Sequence, residues 1–407
     1  MTPARQSEDA ALPLARTDAP APRPALPVPS VARVVVPLRD PPRVSVVVTT
    51  RCRPELLRRC LHALLVQSFD AEAFEIIVVD DGHDGQTRTL VEALGAHTHA
   101  PALRYVRPAQ GRGPAVARNA GWRAAWAPLI AFTDDDTIPA PDWLRGGERA
   151  LAEDGRVSAV GQAADASAST STSTSATATA DADADADAEA SVRPLVAVAG
   201  RVVVPPLGGD ARALPTDHEL STRGLEAAEF VTANAFVRKS ALEGVGGFDE
   251  SFRHAWRQDT DLHLRLLQAG GAIGRADDAV VLRPVYPERW GASLRQRQSA
   301  YFDALLCKKH PRTARVHLRR APPWDHYAVV VFAFAALGLA LGDQGAPAAG
   351  ALVAALALVM RLAARRLAHT SHAPAHMLEM LATSSLIPFL SVYWRLCGAV
   401  RFRVLLP

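Results

Sequence analysis

The stretch Leu129-Ile130-Ala131-Phe132-Thr133-Asp134-Asp135-Asp136 restricts the fold of this chain more than any other. It runs from apolar, strand-like residues straight into three consecutive carboxylates, the pattern of a buried strand whose carboxyl end carries negative charge to one edge of a sheet. Adjacent acids repel one another and persist most easily where positive charge is held, and a hard divalent cation with oxygen ligands is the natural candidate. An acidic turn or a helix N-cap, helped by Pro139 and Pro141 just beyond, accounts for the same residues as well. The rest of the chain decides between these readings.

Upstream, Val44-Ser45-Val46-Val47-Val48-Thr49-Thr50 is a β-branched run that reads as a strand buried on both faces. Arg51, Cys52, Arg53 and Pro54 then turn the chain into a helix whose apolar face includes Leu56, Leu57, Cys60, Leu61, Leu64 and Leu65. Phe74 to Val79 form a second buried strand ending in Asp80-Asp81-Gly82. Strand, helix and strand in this order predict a right-handed parallel βαβ unit with both strand ends on the edge where open α/β sheets bind ligands. A helix from about Thr87 to Leu94 and a strand near Leu103 to Val106 are expected next.

The segment Gly111 to Gly121, with Arg112 and Arg118, opens another helix and leads into the acidic strand. Free N–H groups, the helix dipole and guanidinium donors converging there suit a pyrophosphate, although a flexible loop with solvated arginines gives the same pattern. Leu195 to Pro205 read as a strand pair, Phe230 to Val237 as a strand, and Val245 to Phe252 as a turn. Trp256-Arg257-Gln258-Asp259-Thr260-Asp261-Leu262 then enters a helix, where Asp259 or Asp261 would cap the first turn and could still point into a cleft.

Composition sets the frame for these elements. The chain has 407 residues, enough for two domains or one large domain with appendages, and its 49% hydrophobic content supplies a core. A net charge of +3 gives no ground for a nucleic-acid partner. Cys52, Cys60, Cys307 and Cys397 lie far apart without paired spacing, which suggests neither a disulfide framework nor a zinc site and makes a reducing compartment the default. Residues 1–42 are rich in Pro, Ala and Arg without periodicity and are expected to be disordered, with no signal-peptide pattern. Glu8, Asp9 and Asp18 count against a transit peptide. A low-complexity insertion at 163–190, of Ser/Thr/Ala and then Asp-Ala repeats, is expected to be disordered too. Asp181, Asp183, Asp185 and Asp187 lack the glycine and terminal glutamate of a calcium loop.

Taken in order, these features resemble glycosyltransferase family 2, enzymes of the GT-A fold, over roughly residues 43–300. The resemblance rests on Thr49-Thr50-Arg51, Val79-Asp80-Asp81-Gly82, Ala117-Arg118-Asn119 within the Gly111 to Gly121 segment, Asp134-Asp135-Asp136, Gly246-Gly247-Phe248-Asp249-Glu250 and Gln258-Asp259-Thr260-Asp261-Leu262. It implies an α/β fold with a Rossmann-like, mixed, mostly parallel sheet and flanking helices in a domain at 43–310. It also implies that Asp81, Thr50, Arg51 and Arg53 line the base pocket of a nucleotide-sugar donor, with Arg112, Arg118, Asp134 and Asp135 near the nucleotide. Asp134 and Asp136 would hold Mg²⁺ or Mn²⁺ on the diphosphate. Asp259 falls at the catalytic base, with Asp261 as the alternative because Gln258 replaces the usual preceding acid. Gly247, Phe248, Asp249 and Trp256 would border the acceptor. Arg283 stands where the family often has a histidine after the Val280-Val281 strand.

The implied reaction is one direct displacement at the anomeric carbon, hence inverting, moving one sugar to a hydroxyl acceptor. The absence of Gln-x-x-Arg-Trp around Arg295-Gln296-Arg297-Gln298 favours single-sugar addition over polymerisation. Two rivals are a sugar nucleotidyltransferase, which needs a Gly-rich signature after the first strand, and a catalytically inactive membrane-anchored relative.

The last part of the chain, 311–407, reads as a membrane-associated helical region. Lys308, Lys309, Arg312, Arg315, Arg319 and Arg320 precede two apolar runs, candidate spans at 324–342 and 346–362, followed by Arg361, Arg365 and Arg366. Basic residues outside both ends fit a hairpin with both termini cytoplasmic, and a pair of buried soluble helices is the alternative. A third segment, 377–400, contains Glu379, Pro388 and Arg395 and suits an interfacial helix as well as a span. Because nucleotide sugars are cytoplasmic, the expectation is an inner-membrane protein with its catalytic domain facing the cytoplasm and a lipid-linked or cell-envelope acceptor.

Overall fold

The computed structural model describes residues 31–32, 41–82, 85–97, 101–109, 113–152, 193–207, 214–286, 288–311, 313 and 323–404. Arg112, the 163–190 insertion and the basic residues Arg312, Arg315, Arg319 and Arg320 lie outside these described residues.

The strands are β1 (Val31–Ala32), β2 (Val44–Thr50), β3 (Phe74–Asp80), β4 (Ala102–Val106), β5 (Leu129–Asp134), β6 (Ile138–Pro139), β7 (Leu195–Val203), β8 (Asn234–Arg238) and β9 (Ala272–Leu282). The helices are α1 (Pro54–Leu65), α2 (Gly85–His97), α3 (Pro114–Ala124), α4 (Trp143–Ala152), α5 (Asp217–Arg223), α6 (Lys239–Val245), α7 (Gln258–Gln268), α8 (Ala292–Gln296), α9 (Ala300–Lys309), α10 (Trp324–Leu341), α11 (Gly345–Leu367) and α12 (Pro374–Phe402).

Among the described residues the strands form one sheet in the order β1-β4-β3-β2-β5-β8-β7-β9-β6. β4, β3, β2 and β5 run parallel, β8 is antiparallel to β5 and β7, and β7 is parallel to β9. This is the mixed, mostly parallel sheet with flanking helices that the resemblance implies.

Side-chain alternation along the strands divides the core. Val44, Val46, Val48, Ile76 and Val78 pack on the face covered by Leu57, Leu61 and Leu64 of α1. Val47, Ile77, Val79, Ile130 and Phe132 pack with Ala117 and Trp122 of α3 on the other. Each fully buried leucine contributes about 1.5–3 kcal/mol over its exposed state, enough to fix the strand register. Pairing sets Thr50 opposite Asp80 and Thr49 opposite Asp134, so the carboxyl ends of β2, β3 and β5 reach one rim together.

Three expectations need correcting. Val31 and Ala32, inside the tail expected to be disordered, pair antiparallel with Val106 and Tyr105, because the open edge of β4 offers unpaired backbone donors and acceptors. Leu195 to Pro205 hold one long strand rather than a pair, bulged against β9 between Gly200 and Arg201. The strand expected over Phe230 to Val237 begins only at Asn234, since Asn234 N–H donates to Val231 O at 3.1 Å in a turn.

Three helices, α10, α11 and α12, are long and apolar enough to cross a membrane. At 1.5 Å per residue α10 and α11 are roughly 27 and 35 Å long, close to the roughly 30 Å hydrocarbon core of a bilayer. Val331, Phe334, Leu337, Leu341, Val353 and Met360 face outward from them, while Asp325 meets Arg361 and Arg365 at the base of the hairpin.

The third helix is different, since 39% of its apolar window is buried in the protein against 11% and 17% for the other two. Glu379 accepts from Gly291 N at 2.8 Å near one end, and Trp394 and Phe402 pack on Tyr301 near the other. At Gly398 a side chain would strike Tyr301 O, at 2.5 Å from an ideal Cβ. Arg366 of α11 donates to Thr383 and Ser384 of α12 and also to Asp217 and Ser293, which bolts the helices to the sheet domain. The outward face of α12 carries Leu378, Leu381, Phe389, Tyr393, Leu396 and Val400 at helical spacing.

Candidate active site

The acidic triplet sits at the carboxyl end of β5, and three arginines from separate elements converge on it. Arg118 of α3 donates to Asp134 Oδ1 at 2.7 Å. Arg283, just past β9, reaches Asp134 Oδ2 at 3.3 Å and Asp136 Oδ2 at 2.9 Å. Arg53, before α1, pairs with Asp135 at 2.6 Å and reaches Asp136 Oδ2 at 3.5 Å. The three carboxylates are therefore matched by three guanidinium groups.

The acids differ in what surrounds them. Burial alone would raise Asp134, but Arg118 and Arg283 outweigh it and hold this carboxyl below its usual range. Burial pushes Asp135 up to about 7 in spite of Arg53 and Thr50. Asp136 is raised by burial and by Asp134 against the pull of Arg283 and Arg53. Asp135 is fully buried and holds the Thr50 hydroxyl at 2.7 Å, so both residues position Arg53 and the loop after β2.

Asp81 lies on the same rim. Its N–H donates to Thr50 O at 2.9 Å, and its Oδ1 accepts from Gly113 N at 3.2 Å, at the start of α3. Gly113 has φ +112°, and a Cβ there would meet Arg253 O at 2.5 Å, so no larger residue fits this helix entry. Arg51 is largely exposed, 4.0 Å from Asp81.

Asp259 opens α7, on the far side of the triplet. Its carboxylate accepts from the Thr232 hydroxyl at 2.8 Å and from Thr232 N at 3.3 Å. Burial raises its pKa, Arg118 opposes this and Asp134 adds to it, so Asp259 shares the electrostatic field of the triplet. Asp81, the triplet and Asp259 are thus linked through α3: Asp81 accepts from Gly113 at its start, and Arg118 pairs with Asp134 and acts electrostatically on Asp259.

Asp261, two residues on, faces away. It is fully buried and accepts from Arg265 at 2.8 Å, Lys309 at 2.6 Å and His310 Nε2 at 2.9 Å. Burial raises it, but His310, Lys309 and Arg265 prevail and hold the carboxyl down at about 2. Both of its oxygens are thus engaged, Oδ1 by Lys309 and His310 and Oδ2 by Arg265, in a buried ion cluster.

The turn at 246–250 is tied to α3 through Asn119. Its Oδ1 accepts from Phe248 N at 2.9 Å and Trp122 Nε1 at 2.8 Å, and its Nδ2 donates to Phe248 O at 2.9 Å and Glu250 at 2.8 Å. Phe248 is buried edge-on against Phe132. Gly247, at φ +75°, has no room for a Cβ beside Asn119 and Trp122. Asp249 is paired with Lys309 at 2.7 Å. Trp256 is exposed, with the Arg257 guanidinium over its ring at 4.9 Å and its Nε1 donating to Asp303 at 3.1 Å.

Thr232, Asn119, Lys309 and His310 escape the sequence reading as site residues. Asn119 alone had a signal, within Ala117-Arg118-Asn119, whereas the Thr232–Asp259 contact joins positions 27 apart that only folding brings together.

The Glycosyl transferase family 2 model matches residues 45–245, and the Glycosyl transferase family group 2 model matches residues 212–394. A validoxylamine A glucosyltransferase of Streptomyces hygroscopicus subsp. jinggangensis is 30% identical over 230 residues, 55% of this chain and 51% of that protein. A pre-mycofactocin glycosyltransferase of Mycobacterium tuberculosis is 27% identical over 241 residues, 56% of this chain and 40% of that protein. The chain therefore spans about half the length or less of these relatives. The structure of the mannosyltransferase PcManGT from Pyrobaculum calidifontis, in complex with GDP-Man and Mn2+, superposes at a TM-score of 0.49 with 21% identity over 88% of each chain. The two family models together take in most of the sequence from residue 45 to 394, and the chain belongs to glycosyltransferase family 2.

Proposed function

We propose that this protein moves one sugar from a nucleotide-diphosphate sugar to a hydroxyl acceptor, with inversion at the anomeric carbon, on the cytoplasmic side of the inner membrane. The observation that supports the reading is that Arg118 donates to Asp134 and also pulls down the pKa of Asp259, so the two acids share one cation at the carboxyl rim of the sheet. One acid is thereby poised to take a proton a short distance from the cationic cluster that would receive a leaving diphosphate.

In this reading the exposed guanidinium of Arg51 and the carboxylate of Asp81 receive the nucleoside, and Arg53, Arg118 and Arg283 stabilise charge that develops on the diphosphate as it departs. An acceptor hydroxyl has a high pKa and needs a carboxylate within hydrogen-bond reach as it attacks. Asp259 serves as that base: Thr232 fixes its orientation, and its raised pKa makes it more basic than an exposed carboxylate. Attack from the side opposite the departing diphosphate inverts the centre in one step.

Asp134 and Asp136 are the residues that would hold Mg²⁺ or Mn²⁺. Asp136 Oδ1 fits that role, since it is buried and has no hydrogen-bond partner among the described residues. When bound, the cation would add positive charge at the leaving diphosphate. The outward-facing apolar helices support a membrane location, and a lipid-linked acceptor in cell-envelope polysaccharide or glycolipid synthesis follows from it.

A thermal-shift screen of nucleotide sugars with Mn²⁺ tests the reading, because a ligand of the folded state raises its apparent stability. The donor that stabilises the wild type should fail to stabilise Asp136→Ala, and NMR of the product should show an inverted anomeric configuration. A retained configuration, or no stabilising donor in a full panel, overturns it.

A further inference from the structure

Of the four oxygens on Asp134 and Asp136, three already face a guanidinium group: Asp134 Oδ1 has Arg118, Asp134 Oδ2 has Arg283, and Asp136 Oδ2 has Arg283 and Arg53. Arg283 alone bridges the two carboxylates, one Nη to each. Among the described residues no cluster of three or more His, Cys, Asp or Glu side chains is suited to hold a metal ion. A divalent ion approaching Asp136 Oδ1 therefore meets carboxylates whose charge is already balanced.

We propose that Arg283 is a resident counter-cation of the Asp134–Asp136 pair, competing with a divalent metal for these carboxylates and keeping metal affinity low until a diphosphate is present. This rests on the glycosyltransferase reading only for the identity of the diphosphate; the competition itself is a property of the side chains. The Arg283 N–H donates to Val203 O at 2.8 Å, so the backbone is fixed at the end of β9 while the long side chain can still re-aim. Its side chain is 21% exposed, leaving it a route toward the cleft. A guanidinium keeps its charge at any working pH, so Arg283 is a permanent cation beside the pair.

The energetics favour this order of events. A dication placed beside a fixed guanidinium is repelled at short range in a partly buried site, whereas a diphosphate brings two to three negative charges that attract both cations. Metal and diphosphate should consequently bind with strong positive cooperativity, each raising the affinity for the other by the same factor.

The test is Mn²⁺ binding followed by electron paramagnetic resonance, with Mn²⁺ alone and with UDP or GDP, on the detergent-solubilised full chain. The wild type should bind Mn²⁺ alone at least about tenfold more weakly than Arg283→Ala or Arg283→His, with Arg283→Lys staying near wild type because it keeps the charge. Adding Asp136→Ala to Arg283→Ala should abolish the gain. Loss of fold would weaken Mn²⁺ binding rather than strengthen it, so the expected direction separates competition from damage. Equal Mn²⁺ affinity in wild type and Arg283→Ala overturns the proposal, whether or not any nucleotide sugar is turned over. Turnover without the affinity gain leaves the transferase reading standing and this inference refuted.

Discussion

The Thr232 hydroxyl donates to Asp259 Oδ1 at 2.8 Å while Thr232 N–H approaches the other oxygen at 3.3 Å. A turn before β8 thus fixes the carboxylate of the first-turn acid of α7. Thr232→Val deletes the hydroxyl bond but keeps shape and backbone. It should lower kcat by about tenfold with little change in donor KM, as expected for a residue that orients a base. Steady-state kinetics on the preferred donor check this, and an unchanged kcat would remove Thr232 from the account.

The acid limb of the rate profile should lie above that of an ordinary carboxylate. Burial, reinforced by Asp134, raises Asp259, and Arg118 pulls it back. Activity requires the ionised base, so it should be lost as pH falls through this raised pKa and be fully present above it. Arg118→Gln removes the pull and should move the limb to higher pH, with Arg118→Lys between. The pH dependence of kcat/KM decides, and a limb near pH 4 in the wild type contradicts the assignment.

Asp261 should matter for stability rather than chemistry. Its folded pKa is held down at about 2, below the roughly 3.9 of a free aspartate. Its contribution is therefore complete above about pH 4 and lost as pH falls toward the folded value. Removing one partner of a buried ion cluster costs about 3–5 kcal/mol, and the partial exposure of Arg265 and Lys309 places Asp261→Asn at the lower end. Chemical denaturation at pH 7 and pH 3 should show the difference between wild type and variant shrinking at the lower pH. The folded variant should retain most of its kcat.

Helix α12 should lie in the membrane surface rather than cross it, because Glu379 near its start and Phe402 at its end both touch the sheet domain. In a background without the four native cysteines, cysteines at the exposed positions Ala375 and Arg403 should react with an impermeant maleimide from the same side of sealed vesicles. Reaction from opposite sides would make α12 a span.

The sheet was legible because buried parallel strands announce themselves as runs such as Val44 to Val48 and Ile76 to Val79, ended by Thr50 and Asp80 at the binding rim. The triplet and Asp259 were legible because a strand end and a helix start leave a local mark. What stayed hidden is the sorting of neighbours by packing: Asp259 and Asp261 look interchangeable along the chain, yet α7 turns one to Thr232 and the other to Lys309 and His310. Successive helical positions point in different directions, and only the packing of α9 tells which is sealed. The two-residue strand Val31–Ala32 had no signal, since pairing to a sheet edge needs backbone rather than pattern.

The central claim is that Asp259 takes the acceptor's proton at a cleft whose opposite wall holds a nucleotide sugar. It is tested most directly by measuring nucleoside diphosphate release from a panel of nucleotide sugars, using membranes that carry wild type or Asp259→Asn and their native acceptor. At least one donor should be consumed by the wild type, and the variant should bind that donor normally while releasing product about 10²–10⁴ times more slowly. Equal rates in the two proteins, or no donor consumed at all, would contradict it.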